Sequence, residues 1–208
     1  MDQQRDYSQH GEQEIILKTL GAGKPGSTGP TRRLLDIGAW VPDTFSNTRA
    51  LLDAGWEGVL VEPSPGPFKQ LIDHYRDNPK VLLVQAVVGL YDGWVEFHDS
   101  GGDAVSSTDM AHVQRWKAGF NVPYRAFNTW AISPATLFDR LGYNFEFINL
   151  DAEATSAKLF MLLPFHRLDD LRCVCVEHDN RGDEILQRAG EFGFKHVWHN
   201  NENLIIAR

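Results

Sequence analysis

Five polar side chains, Asp36, Glu62, Gln85, Asp151 and Glu177, each stand at or near the end of a different apolar run in this 208-residue sequence. Carboxylates placed this way can accept hydrogen bonds from ligand hydroxyls or take up a proton. Any one of them also fits a solvated strand terminus, but five along one rim point to a ligand site. The first opens the turn Asp36-Ile37-Gly38-Ala39. Gly38 has no side chain and Ala39 a small one, so backbone can approach a ligand closely there. Glu62 follows Asp36 by 26 residues. An acidic residue about 20 residues beyond a glycine turn accepts hydrogen bonds from ribose hydroxyls in nucleoside-binding α/β folds. Pro63 and Pro65 then stop one element and start the next, which fixes where that carboxylate points. The pattern G-x-G-x-x-G is absent, and Pro42 stands where a further glycine would fall, which argues against a pyrophosphate resting on a helix terminus.

These residues need a scaffold that brings strand ends together. Apolar runs read as strands at residues 33–37, 58–63, 81–88, 94–98, 145–151 and 173–177, and helical patterns fall at 12–20, 46–54, 65–75, 156–163 and 183–192. The final runs KHVWH and NLIIA, joined by Asn-Asn-Glu-Asn, read as a hairpin. Strands buried on both faces form continuous apolar runs, and their alternation with amphipathic helices predicts a mostly parallel sheet, helices on both faces, and an antiparallel C-terminal hairpin. Ligands of such sheets bind beyond the carboxyl ends of the strands, where the chain order reverses. Cys173 and Cys175 lie two residues apart on one strand and read as small core residues. His196 and His199, at odd spacing, are expected on opposite faces.

Composition bounds the function. Hydrophobic residues make up 42% and charged residues 23%, a globular balance that fits one domain over residues 1–208. No apolar run reaches the roughly 20 residues of a membrane span, and the polar start has no signal-peptide core, so the expectation is a cytoplasmic protein with no membrane partner. The net charge of -8 opposes sequence-independent binding to nucleic acid. Residues 21–31 are rich in Gly, Pro, Ser and Thr and must form a loop, leaving the preceding segment as a lid. Residues 99–128 are long for a connection and carry Trp116, Tyr124 and Arg125, which suit the pocket of a ringed acceptor; a helix near 109–118 with ordinary core aromatics is the plainer reading.

Several segments together resemble the FkbM-type methyltransferases over most of the chain: YSQHGEQ (Tyr7 to Gln13), DIGAWVPDTFSNT (Asp36 to Thr48), GWEGVLVEPSPGPFKQL (Gly55 to Leu71), VQAVVG (Val84 to Gly89), SST (Ser106 to Thr108), FINLDAEA (Phe147 to Ala154) and CVEHD (Cys175 to Asp179). The resemblance implies a Rossmann-like class I methyltransferase fold, S-adenosylmethionine as cofactor, and O-methylation of a sugar, glycoconjugate or related small metabolite. It implies cofactor contacts from Asp36, Gly38, Ala39 and Trp40, from Glu62 and Pro63, and from Gln85 and Ala86. Asp151 and Glu153 match the family's D-x-E-G segment near the site of transfer. Two positions depart from the pattern: Ala154 replaces the glycine of that segment, and Trp40-Val41-Pro42 replaces a polar residue and glycine.

An alcohol acceptor must lose a proton, so a general base is expected, with Asp151 first and His178 second. Asp151 can alternatively bind the cofactor's amino group. Glu153 and Glu177 are expected on the acceptor side. Asp151, Glu153, Glu177 and Asp179 could supply oxygen ligands to Mg²⁺, but no compact metal motif exists and no required metal is expected. Three rival classes remain: a nucleotide or nucleic-acid methyltransferase, a catalytically silent binding protein on the same fold, and, weakest, a nicotinamide dehydrogenase.

Overall fold

The computed structural model describes residues 5–22 and 31–208. Most of the loop expected over residues 21–31 therefore lies outside the described residues, as does the start of the expected lid. After α1 (Glu12–Leu20) the chain runs β1 (Arg33–Ile37), α2 (Arg49–Asp53), β2 (Glu57–Val61), α3 (Pro65–Tyr75), β3 (Val81–Val84), β4 (Val87–Val88) and β5 (Gly93–Asp99). There follow α4 (Met110–Phe120), β6 (Arg125–Ile132), α5 (Pro134–Leu141), β7 (Phe147–Leu150), α6 (Ser156–Met161), a 3-10 turn at Phe165–Arg167, β8 (Cys173–Glu177), α7 (Gly182–Gly190), β9 (Lys195–His199) and β10 (Asn203–Ala207).

The main sheet has the order β3-β2-β1-β7-β8-β10-β9. Its first five strands are parallel, and β10 pairs antiparallel to both β8 and β9. The continuous apolar runs are explained by strict alternation between two cores. Leu34, Leu60, Phe147, Cys173, Cys175 and Ile205 face α1, α2 and α3. Leu35, Val59, Val61, Ile148, Leu150, Val174, Val176 and Ile206 face α5, α6 and α7. Each such side chain, fully buried, contributes about 1.5–3 kcal/mol. Both cysteines are free and buried in the first of these cores. Chain order reverses between β1 and β7, so Asp36 and Asp151 meet at the carboxyl end of neighbouring strands, as a doubly wound sheet requires.

Four local expectations need correction. The run 81–88 is not one strand: it breaks after Val84, and Val87 and Val88 leave to pair with Ala131 and Ile132 in a second, three-stranded sheet ordered β4-β6-β5. The run stays apolar because Val87 and Val88 are buried in this second setting too. The segment 99–128 is not a plain connection, because it contains α4 and the start of β6, which pairs antiparallel along the whole of β5. The helix expected at 46–54 is only the five residues Arg49–Asp53, because Ser46, Asn47 and Thr48 form polar links described below. His196 and His199 share a face. A bulge in β9, where the register shifts between Ile205 and Ile206, inserts an extra residue and brings their ring nitrogens to 3.0 Å.

Candidate functional site

β1 delivers Asp36 into a tight turn. Gly38 has φ +85°, and a Cβ there would lie 1.6 Å from the Asp151 carbonyl oxygen, so only glycine fits. The Gly38 and Ala39 amides both donate to the Val61 carbonyl, at 2.9 and 3.1 Å. The Trp40 amide donates to Glu62 Oε2 at 2.9 Å. Three successive N–H groups are thereby committed to β2 and its end, and no helix begins until Arg49. The turn offers none of the backbone cradle that a phosphate needs.

Glu62 is 5% exposed and lines the cleft above this turn. Its second oxygen accepts the Ser64 amide at 2.7 Å. Burial raises its pKa to about 7, against the lowering pull of the Ser64 and Trp40 amides. Each oxygen holds one protein bond and retains a lone pair, so the carboxylate is oriented in advance for a ligand that donates hydrogen bonds.

Asp36, beside it, is held in the same way, with one protein bond on each oxygen. Its oxygens accept from the Thr48 hydroxyl at 2.6 Å and the Asn149 amide at 2.8 Å. Because Asp36 is an acceptor, Asn149 must present its Nδ2 there and its carbonyl oxygen outward, where it accepts from Asn47 Nδ2 at 3.1 Å. This fixes the Asn47 amide as well. Its Oδ1 has no partner although Asn47 is only 6% exposed, and the residue lines the cleft. A buried acceptor without a protein partner beside a cleft is open to a donor from a ligand or an ordered water.

Beyond the turn the cleft becomes acidic. Asp151 and Glu177 lie side by side there, and burial with the neighbouring acids opposes ionisation of both. Burial first, then Asp36, Glu202 and Asp179, raise Asp151 to about 7. Burial first, then Asp151, Glu177, Asp179 and Glu202, raise Glu153 to about 10, and Glu177 rises well above the usual carboxylate range. Ser156 donates to Glu177 at 2.8 Å, and the Ala157 amide donates to Asp179 at 2.8 Å, which closes the start of α6 onto this cluster. Glu153 and Ala154 have φ +40° and +70°. Ala154 thus occupies the left-handed conformation that a glycine adopts without strain. Among the described residues, no group of three or more His, Cys, Asp or Glu is arranged to hold a metal ion.

The walls come from loops that the two sheets bring together. The Trp40 indole donates to the Gly102 carbonyl at 3.1 Å and its ring stacks on Phe45. Tyr124 donates to the Val105 carbonyl at 2.9 Å, and Ser107 donates to the Glu153 carbonyl at 2.7 Å. On the opposite side the N-terminal segment contributes Gln9. Buried Glu12 holds that segment down by accepting from Asn200, Asn203 and the His10 amide at 2.8–3.0 Å. The resulting cleft encloses about 110 Å³ and opens to solvent at its mouth.

Of the expected site residues, Asp36, Gly38, Ala39, Trp40, Glu62, Pro63, Ala86, Asp151 and Glu153 line this one cleft. Gln85 does not; it is exposed and only reaches the Pro63 carbonyl at 3.5 Å. His178 lies on a separate groove behind β10, and both its ring nitrogens are engaged, with the Asn200 carbonyl at 3.2 Å and the Asn180 amide at 3.1 Å. It fastens the closing hairpin and cannot serve this cleft as a base. Glu177 acts behind Asp151. Trp116, Tyr124 and Arg125 are outside the lining: Trp116 packs at a tilt against exposed Phe120, Tyr124 ties a loop, and Arg125 is exposed to solvent. Asn47, Asn149, Ser64 and the buried His112 were not singled out from the sequence. Asn47, Ser64 and Asn149 carried a signal only by falling within the resembling segments 36–48, 55–71 and 147–154, and His112 carried none.

No protein-family model matches the chain, and no curated protein matches it. Solved structures do. The methyltransferase FkbM from Methylobacillus flagellatus KT aligns with a TM-score of 0.52 at 11% identity, over 87% of this chain and 44% of that one. The fibrillarin pre-rRNA processing protein of Methanococcus jannaschii aligns with a TM-score of 0.48 at 12% identity, over 95% of this chain and 75% of its own. The chain thus spans less than half the length of the FkbM protein. With the strand order above, the likeness defines a Rossmann-like, class I methyltransferase fold.

Proposed function

We propose that this protein is an S-adenosylmethionine-dependent methyltransferase of the FkbM type that methylates a hydroxyl of a small acceptor, a sugar or glycoconjugate. The observation that carries the reading is the pair of acceptors in one cleft: the preset Glu62 carboxylate and the unpartnered Asn47 Oδ1. S-adenosylmethionine carries donors for both, a ribose diol and an ammonium group, and has no phosphate, which agrees with a turn whose amides are already committed. Pro63 and Ala86 offer a small apolar surface to the adenine. Bound, the cofactor supplies a methyl group on a sulfonium, and the surrounding carboxyls suit its positive charge.

The chain's own task is to hold the acceptor in line and to receive its proton. Asp151 takes the base role in this reading, because it lines the cleft and burial has moved it to about 7, close to neutral pH. The segment from residue 5 to 11 closes the cofactor side, and the loop 100–108, tied by Trp40 and Tyr124, covers the acceptor side. Trp40 stands at φ +45°, and its ring stacks on Phe45 in the wall of the cleft. A polyanionic acceptor is disfavoured, because its phosphates would face Asp103 and an ionised Asp151.

Calorimetry with S-adenosylmethionine, its demethylated product and NAD tests the proposal. The first two are expected to bind and NAD is not. Glu62→Ala should weaken nucleoside binding by about 1–3 kcal/mol, the worth of hydrogen bonds to a charged group. Unchanged affinity in that variant removes the assignment.

A further inference from the structure

His112 is the one buried histidine ring facing the acidic end of the cleft from outside its lining. It is 4% exposed, and its Nε2 has no hydrogen-bond partner. That nitrogen lies 3.5 Å from Glu153 Oε2. The Val105 backbone lies against the ring, and the Val105 carbonyl accepts the Tyr124 hydroxyl at 2.9 Å. Asp109 caps α4 by accepting the His112 amide at 3.0 Å. A neutral imidazole has one donor and one acceptor nitrogen, and the unpartnered Nε2 is the nitrogen turned toward Glu153. Glu153 is equally constrained: it sits at φ +40° with its own carbonyl tied by Ser107, a backbone state that persists only where the surroundings impose it.

We propose that His112 is a positioning residue whose Nε2 faces the Glu153 carboxyl as a hydrogen-bond acceptor while the proton stays on Glu153, so that Glu153 stands in the cleft as a neutral acid whose other oxygen accepts a hydrogen bond from an acceptor hydroxyl. The inference rests on the methyltransferase reading for its purpose, though not for its geometry. A neutral Glu153 adds no charge next to Asp151, which leaves Asp151 free to ionise near neutral pH. An acceptor with adjacent hydroxyls then meets two different partners: Asp151 for the hydroxyl that reacts, and Glu153 for its neighbour. The groups around the pair agree. Asp151, Glu177, Asp179 and Glu202 face Glu153 and favour its protonated form. Burial and Arg115 hold His112 below its ordinary pKa and favour the neutral ring, against the opposite pull of Asp109 and Asp179. The competing arrangement is an ion pair, imidazolium against carboxylate.

Nuclear magnetic resonance of the apo protein separates the two. Nitrogen-15 spectra of the native chain at pH 7 should show His112 with one protonated ring nitrogen, Nδ1, and Nε2 accepting. The Glu153 side-chain carbon should keep its protonated shift through pH 8. His112→Phe removes the acceptor and keeps a ring, and should lower the Glu153 midpoint by about one unit, a tenfold change; His112→Gln, which retains an acceptor, should restore part of it. A doubly protonated His112 ring, or a Glu153 carbon that ionises below pH 6, overturns the proposal. The native spectra decide this even if the Phe variant does not fold. Failure of S-adenosylmethionine to bind in calorimetry would instead strike the methyltransferase reading and leave these spectra unchanged.

Discussion

Gly38→Ala tests the crowding on which the cleft depends. The added Cβ would sit 1.6 Å from the Asp151 carbonyl oxygen and 2.7 Å from its carbon. Real Cβ contacts stay beyond 3.0 Å, so two hydrogen-bonded neighbouring strands must part by about 1.4 Å at their carboxyl ends. Overpacking of this kind costs about 1–3 kcal/mol. The left-handed backbone at φ +85° costs an alanine a further ~1–2 kcal/mol. Reduced entropy of the unfolded chain returns about 0.4–1 kcal/mol. The net expectation is a loss of about 2–4 kcal/mol, or a melting temperature lower by roughly 5–15 °C for a chain of this size. Urea and thermal melts measure it directly. The nucleoside affinity should fall too, because the displacement moves Asp151 away from Asp36 and disturbs the Asp151 amide bond to the Ile37 carbonyl. A variant that melts like the native chain, with an unchanged denaturant slope, refutes the reasoning.

Two further outcomes are expected. Asp151 rises to about 7 in the folded chain, whereas it ionises near 3.9 when unfolded. Between those values the folded chain keeps a proton that the unfolded chain has released, so this residue's contribution makes stability fall as pH rises from about 4 to about 7 and then level off. Asp151→Asn should therefore melt a few degrees higher than native at about pH 8 and lose that advantage below about pH 4. Thermal melts across pH would show it, and no gain at alkaline pH would contradict the burial argument. Ala154→Gly should stabilise the chain by about 0.5–1 kcal/mol, since Ala154 sits at φ +70°. A destabilised variant in urea melts would mean that the backbone there is not left-handed.

The main sheet was legible because its strands are buried on both faces and write themselves as unbroken apolar runs, as in Leu34-Leu35 and Cys173–Val176. The second sheet was not. In β6 the outward Trp130 and Asn128 interrupt the apolar pattern, and its register exists only through pairing with β5 across α4. The His196–His199 contact was hidden because a bulge breaks the two-residue period on which face assignment relies. At the site, the strand-end acids Asp36, Glu62 and Asp151 could be read from position alone. Asn47 and Asn149 could not, since neither means anything until the fold brings residues 102 apart into one hydrogen-bonded chain. His112 likewise reads as a core or surface histidine until Glu153 comes to 3.5 Å from it.

The central claim is that Glu62 and Asn47 are two acceptors waiting for the two donor ends of one nucleoside cofactor. A crystal structure with the demethylated product of S-adenosylmethionine tests it most directly. The ribose hydroxyls are expected on the Glu62 carboxylate and the amino group on Asn47 Oδ1, with the adenine against Pro63 and Ala86. A ligand found in another groove, or in this cleft with Asn47 Oδ1 still unpartnered, would contradict the account.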